Sequence, residues 1–389
     1  MNCETIDDRC IPLFREMVPR MLLTSSFMKF SHLFSDFKDE TRFEMDLFSS
    51  RGLGNPILAI YVQMFLLRSY SSLDDINGEK SKLSFHEMLK VLNCLSKERP
   101  RTYEKITFED YIQLLKPAIN WISSTLTKTN SEKTIISILR GIQTRSSEVF
   151  NVVFDSLLCN VSVDFIVANT KYLMEKSLQV RTPEIIVSFG KALVRCPGNF
   201  KEKEEMINSI WSVISNFSCV DQYLPSAAVW LEFVAIQFET KEINKLLGVI
   251  IKKVASLENS DYDMNQDLCN LLLNIVKRRE KNVMSTISIQ NFNPMFSMIT
   301  KEDVKNNLSK EILQQLLQEE IQPQTETPVH DMLMNICDIL SKNVTALTSQ
   351  DEQRQVSLLI NNAIARCSLL PDFQKQLSFL SELRLVSLE

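Results

Sequence analysis

The side chains that most often do chemistry are scarce in this sequence and poorly spaced for it. Histidine occurs three times, at His32, His86 and His330. None falls in an H-E-x-x-H or H-x-x-x-H frame, where two imidazoles one helical turn apart would share a zinc ion. A zinc centre or a Ser-His-Asp triad is therefore not expected. Nine cysteines, at 3, 10, 94, 159, 196, 219, 269, 337 and 367, stand singly with no C-x-x-C pair, and read as small buried hydrophobes of a reducing compartment. Gly52-Leu53-Gly54 begins like a dinucleotide-binding loop. Asn55-Pro56-Ile57 follows it, however, and the third glycine and a preceding strand are missing, so it reads as a tight turn between helices. No glycine precedes Lys and then Ser or Thr, which excludes a Walker A phosphate loop.

Charged residues are plentiful, but their pattern is that of solvated faces. Lys201-Glu202-Lys203-Glu204-Glu205 pairs opposite signs along one helix. The basic run Lys277-Arg278-Arg279, with Lys281, closes a predicted helix, where cations meet the negative end of the dipole. Forty-three basic and 48 acidic residues leave a net charge of −5, too mild and of the wrong sign for nucleic acid or an anionic membrane as the main partner. Trp121, Trp211 and Trp230 lie among aliphatic residues on amphipathic segments and read as core. The expectation is a protein with no catalytic, metal or cofactor site.

The elements that carry these residues are helical throughout. Seven glycines in 389 residues are too few for turn-rich sheets or Rossmann loops. Ile243, Leu246, Leu247, Ile250 and Val254 follow the i, i+3, i+4, i+7, i+11 spacing of a helix with one apolar stripe. Leu308, Ile312, Leu316 and Leu317, and Met332, Ile336, Leu340 and Leu347, repeat it. Thr107 with Asp110, Thr300 with Asp303, and Ser349 with Glu352 have capping-box spacing, and Thr182-Pro183-Glu184 is a further start.

These signals place helices at 9–30, 38–49, 56–70, 82–97, 107–127, 131–141, 145–159, 161–177, 183–195 and 201–217, and then at 222–238, 241–256, 263–280, 301–319, 329–345, 350–368 and 372–387. The best strand candidate, Ile287 to Phe292, is too short and isolated to build a sheet. Ser72 to Ser81 and Gln318 to Pro328 read as loops.

Helix pairs of about 40 residues are the period of HEAT-type arrays, in which each pair buries one face on its predecessor and one on its successor. The expectation is a single all-α, HEAT-like α-solenoid of antiparallel helix pairs over residues 1–389, long and curved. The first ten residues carry Glu4, Asp7 and Asp8 and lack the order of a signal peptide. Pro56 to Leu67, the most apolar stretch, is too short to span a bilayer. A cytoplasmic chain, soluble or peripheral, is expected.

Several segments carry a resemblance. Val18-Pro19-Arg20-Met21-Leu22-Leu23 is similar to an element of the large solenoid subunits of retromer and retriever, and Arg51-Gly52-Leu53-Gly54-Asn55-Pro56-Ile57-Leu58-Ala59-Ile60-Tyr61 resembles the Arg-Gly-Ile-Gly-Asp-Pro-Leu segment of the retriever branch. Tyr111 to Trp121, Ala228 to Phe238, Lys241-Glu242-Ile243-Asn244, Ala346-Leu347-Thr348 and Asp372 to Phe379 continue it in order.

On these segments the chain resembles the vacuolar-protein-sorting thirty-five-like family. The resemblance implies a non-enzymatic scaffold of an endosomal cargo-retrieval complex, peripheral on the endosome membrane through its partners. Those partners are an arrestin-fold subunit, a phosphoesterase-like subunit, coiled-coil and COMM-domain proteins and a sorting nexin adaptor, with no nucleic acid. It implies that Pro19, Arg20, Leu22 and Leu23 support docking of the arrestin-fold subunit, Arg20 offering a fork of donors to a partner. The alternative for Arg20 is that it pins a neighbouring helix of its own chain.

The family's chain extends beyond both ends of this one, so a fragment or short form is expected, with the repeats that mainly hold the phosphoesterase-like subunit falling after Glu389. From the residues alone another α-solenoid adaptor, such as a nuclear transport carrier, stays open, as does an enzyme with an unrecognised site.

Overall fold

A computed structural model describes residues 40–71, 78–95, 107–142, 146–196, 198, 200–257, 262–279, 283–318, 327–343 and 350–367. Among them every regular element is a helix, and the fold is all-α and solenoid-like. The helices predicted at 9–30 and 372–387, the Ser349 cap, Leu347 and residues 319–326 of the Gln318–Pro328 loop lie outside the described residues, while Gln318, Thr327 and Pro328 are helical. The chain divides into two compact units, Met1–Leu173 and Met174–Glu389.

In the first unit, α1 (Glu40–Ser50) leads through a 3-10 turn (Arg51–Leu53) into α2 (Pro56–Ser71), followed by α3 (Gly78–Asn93), α4 (Phe108–Thr129), α5 (Glu132–Gly141), α6 (Ser147–Asn160) and the short α7 (Val163–Ala168). Helices two places apart stack, α2 on α4 and α4 on α6, while α3 fills the side of α2 and α4. Each stripe therefore has two neighbours to cover it. In α4 it is Tyr111, Ile112, Leu115, Ala118, Ile119, Ile122 and Leu126, all buried. Phe43, Leu47, Val62, Leu66 and Leu67 close the α1–α2 end, with Trp121 packed against them.

Helix α8 (Thr170–Val180) leads on from α7. The second unit then runs α9 (Pro183–Val194), α10 (Lys203–Ser215), α11 (Val220–Gln237), α12 (Thr240–Ser256), α13 (Asn265–Arg278), α14 (Val283–Ile287), α15 (Phe292–Ser297), α16 (Glu302–Gln318), α17 (Thr327–Lys342) and α18 (Gln350–Cys367). The same alternation holds: α9, α11, α13, α16 and α18 stack in series, and α10, α12 and α17 lie to the side. The α12 stripe is buried at Ile243, Leu247, Ile250 and Val254.

At the α9–α11 seam Trp230 is wholly buried. Its ring centroid lies 5.7 Å from Phe189 and 5.6 Å from Phe233, and its indole N–H donates to the Ile186 carbonyl at 2.9 Å. Gly190, one turn after Ile186, makes this possible. A Cβ there would lie 2.7 Å from Val229 Cγ1 and 3.0 Å from the indole nitrogen.

Where structure and sequence reading differ, a side chain has usually redirected the backbone. The helix expected over 161–177 breaks at Asn169, whose Nδ2 donates to the Phe165 carbonyl at 2.8 Å, competing with the helical ladder. The Ser72–Ser81 loop ends early, because α3 starts at Gly78. Asn130 Nδ2, at the end of α4, donates to the Gly78 carbonyl at 3.1 Å and to Ser81 Oγ at 2.8 Å and holds that start in place.

The strand candidate at 287–292 is a turn between α14 and α15, two helices too short to show a period. Asn291 fixes them from outside, its backbone N–H donating to Asn244 Oδ1 at 3.0 Å and its side chain to the Asn244 carbonyl at 2.8 Å. Thr300 does not cap α16 either, since its hydroxyl donates to Asn265 Oδ1. Of the described cysteines, Cys196, Cys269 and Cys337 are buried as expected, but Cys94, Cys159 and Cys219 are exposed.

The close approach at Gly190 yields a paired prediction. Gly190→Ala gains helix propensity of about 1 kcal/mol but overpacks the seam by about 1–3 kcal/mol, so its thermal midpoint falls below wild type. Gly141→Ala, with nothing within 4 Å of the new Cβ, melts no lower than wild type. Circular dichroism melts of both variants check this.

Candidate functional site

The sequence features most suggestive of chemistry turn out to be joints between helices. At Arg51-Gly52-Leu53-Gly54-Asn55-Pro56, Gly54 adopts the left-handed region at φ 73°, which glycine tolerates without a Cβ penalty. Asn55 Oδ1 then accepts from the backbone N–H groups of Ile57 at 3.0 Å and Leu58 at 3.3 Å, capping α2. Arg51 Nε lies 2.8 Å from Oε2 of Glu87 in α3, and its guanidinium sits 5.2 Å from the Phe48 ring centroid. The Glu87 side chain is wholly buried, and its other oxygen accepts from Lys90 Nζ at 2.7 Å. The expected tight turn is thus also an electrostatic anchor for a buried carboxylate.

The other segments that carry the resemblance behave alike. Tyr61 donates its hydroxyl to the Leu114 carbonyl at 2.9 Å, tying α2 to α4. Glu232, the one charge in Ala228 to Phe238, accepts from Arg278 Nε at 2.8 Å and Asn274 Nδ2 at 3.2 Å, tying α11 to α13. Asn244 holds α15 as described above. Ala346 to Thr348 and Asp372 to Phe379 lie outside the described residues.

Ion pairs continue across the same stack: Lys277 of α13 with Glu311 of α16 at 3.7 Å, and Lys310 of α16 with Glu352 of α18 at 3.1 Å. The basic run at 277–279 is therefore spent within the fold, two of its members pairing with neighbouring helices and the third, Arg279, having its pKa lowered by burial.

A polar corner joins the starts of α13 and α16. Asn265 Oδ1 accepts from the backbone N–H of Thr300 at 2.7 Å and of Lys301 at 3.1 Å. Asp263, bonded to Lys301 and to both donors of Asn265, is held at about 2 instead of the usual 3.8, Lys301 being the largest cause. Nearby, the Tyr262 hydroxyl donates to Asp267 and is pushed up to about 12.

Among the described residues no group of three or more His, Cys, Asp or Glu side chains is placed to hold a metal ion, and no helix is long and apolar enough to cross a membrane. His86 Nδ1 lies 2.7 Å from the Lys82 carbonyl of its own helix. Pro19, Arg20, Leu22 and Leu23, the residues assigned to docking of the arrestin-fold subunit, lie outside the described residues, as does His32. Sequence reasoning did not find Glu87 or Glu232. The signal was present in both cases, since each is a carboxylate set where the apolar stripe of its helix demands a hydrophobe.

The family model described as the VPS35L C-terminal domain matches residues 130–387, well over half of the chain. The chain belongs to the VPS35L family. It is similar to proteins named VPS35 endosomal protein-sorting factor-like. The one from Danio rerio is 23% identical over 397 residues, covering 98% of this chain and 41% of that protein. The one from Homo sapiens is 22% identical over 397 residues, with the same coverage. A relative of the same name from Dictyostelium discoideum is 24% identical over 392 residues, covering 96% of this chain and 38% of that protein. The chain spans less than half the length of these VPS35L-family relatives.

Two predictions follow from the joints. Removing both cations with Arg51→Ala and Lys90→Ala leaves the Glu87 carboxylate buried and uncompensated, which costs about 3 kcal/mol, the low end for a buried charge because both cations are half in water. Adding Glu87→Gln recovers part of that loss, as urea unfolding of the double and triple variants checks.

At the α13–α16 corner the depressed carboxyl pKa of Asp263 means that its stabilising contribution is complete above the usual 3.8 and is lost as pH falls towards about 2. In Asp263→Asn the thermal midpoint falls less steeply than wild type between those two values, as melts at stepped pH will read.

Proposed function

We propose that this chain is a non-enzymatic scaffold of an endosomal cargo-retrieval complex of the retriever type, peripheral on the endosome membrane and supporting recycling of membrane proteins to the cell surface. The observation that carries the reading is the match to the VPS35L C-terminal domain over residues 130–387, in a chain whose relatives are named endosomal protein-sorting factors. The stacked helices support it: several of their charged and amide groups tie one helix to the next, which suits a scaffold for holding other proteins.

The partners proposed are an arrestin-fold subunit, docked through Pro19, Arg20, Leu22 and Leu23, a phosphoesterase-like subunit, coiled-coil and COMM-domain proteins and a sorting nexin adaptor. Cargo retrieval by such a scaffold needs no bond to be broken in it.

Affinity purification of the tagged chain from cells, read by mass spectrometry, tests the reading. Recovery of the arrestin-fold and COMM-domain proteins is expected, and recovery of nuclear import cargo without endosomal sorting proteins overturns it. Arg20→Glu is expected to abolish co-purification of the arrestin-fold subunit while leaving helical circular dichroism unchanged; undiminished recovery removes the docking assignment.

A further inference from the structure

Several basic groups of the second unit are tied to neighbouring helices. On the α11–α13–α16–α18 stack Arg278 pairs with Glu232, Lys277 with Glu311, and Lys310 with Glu352. The exposed lysines of the side helix α12 are not tied in this way. Its buried face takes Ile243, Leu247, Ile250 and Val254, which turns Lys241, Lys245, Val249 and Lys252 to the opposite side, where all four are exposed. Their spacing of four, four and three residues keeps them on one face of a helix, a row about 16 Å long at 1.5 Å per residue. None of the three lysines makes an ion pair or side-chain hydrogen bond with another described residue.

The only acid within α12, Glu242, is half-buried on the flank. Glu239, exposed just before the helix, is the carboxylate whose charge partly offsets the burial of Arg279. Among the described residues α12 thus carries four lysines, Lys253 being half-buried, against the single carboxylate of Glu242, which sits between Lys241 and Lys245, in a chain whose net charge is −5.

We propose that this face of α12 is a contact for an anionic lipid surface. The inference rests on the endosomal reading above and adds a direct lipid contact to the attachment through partners. Charge alone recommends an anionic ligand, and three features favour a lipid surface over an acidic protein. The cations are all lysine, a hydrated point charge suited to diffuse attraction, whereas recognition of particular carboxylates favours the arginine fork. A protein interface is anchored by buried aromatic or large apolar side chains, and this row offers only Val249, 38% exposed. A lipid leaflet, by contrast, is read by charge density, each nearby lysine strengthening binding by about fivefold.

Co-sedimentation of the full chain with vesicles tests the proposal, comparing phosphatidylcholine alone with phosphatidylcholine containing about 30 mol% phosphatidylserine. The chain is expected to pellet with the anionic vesicles only and to be released when salt is raised to about 0.5 M. Combining Lys241→Glu, Lys245→Glu and Lys252→Glu should weaken partitioning by roughly a hundredfold or more with circular dichroism unchanged, while Lys133→Glu, at an exposed site in the first unit, should not.

Equal pelleting of the triple variant and wild type overturns the proposal. So does wild-type chain that ignores phosphatidylserine vesicles, including the case in which it binds polyglutamate through the same lysines, which would assign the face to an acidic protein. A chain that recovers sorting partners from cells yet ignores the vesicles refutes the lipid contact and leaves the proposed function standing. A chain that binds the vesicles through these lysines but recovers no sorting partner refutes the proposed function.

Discussion

Burial of each apolar stripe against more than one neighbouring helix is the constraint on which the other features of both units depend. A lone amphipathic helix of 10 to 22 residues gains too little from its own hydrogen bonds to persist in water. It needs neighbours on more than one side, and the alternation of stacked and side helices supplies them. The aromatic seam of Phe189, Trp230 and Phe233 is that constraint at its tightest. There the backbones of α9 and α11 come close enough that one position, Gly190, has no room for a Cβ and a helix carbonyl is shared with an indole. Close approach and carbonyl sharing are one event, since the missing side chain exposes the carbonyl that the indole reaches.

Apolar stripes leave the register between helices weakly determined, because leucine and isoleucine pack acceptably at several offsets. Polar groups at the seams remove that freedom. Glu232 fits only where Asn274 and Arg278 meet it, Asn244 only where Asn291 presents both a backbone and a side-chain donor, and Glu87 only between Arg51 and Lys90. An exposed ion pair adds little stability, but a buried carboxylate without its cation is costly. The energetic effect of these groups is therefore felt mainly in the misregistered states, where they would be stranded.

Much of this was legible in the sequence. The α12 stripe, the turn at Gly52 to Pro56 and the Thr107 cap, where Asp110 N donates to the hydroxyl at 3.1 Å, all follow from local spacing. What escaped has a common physical origin. Asn169, Asn265 and Asn291 act by bonding backbone groups in competition with, or at a distance from, their own helix, and nothing in an asparagine's immediate neighbours announces which it will do. Helices α14 and α15 are shorter than the window over which a period can be measured, and they depend on Asn244 from another helix. The exposed thiols of Cys94, Cys159 and Cys219 lie at or near helix ends, where composition predicts burial poorly. Pro19, Arg20, Leu22 and Leu23, which the resemblance implies in docking, lie outside the described residues.

The low identity to VPS35L relatives, 22 to 24%, is consistent with this division of labour. Stripe positions need only remain apolar and of suitable volume, so they can change freely while the stack persists. Joint positions are different, because each requires a donor or acceptor at a fixed place. Several of the segments through which the family resemblance was visible contain such joints: Arg51 and Asn55 at the first turn, Tyr61 and Leu114 between α2 and α4, Glu232 on α11 and Asn244 on α12. A short motif in a solenoid of this kind therefore marks where one helix is keyed to another, and its presence in order along a chain argues for the same succession of joints more strongly than the percentage of identical residues does.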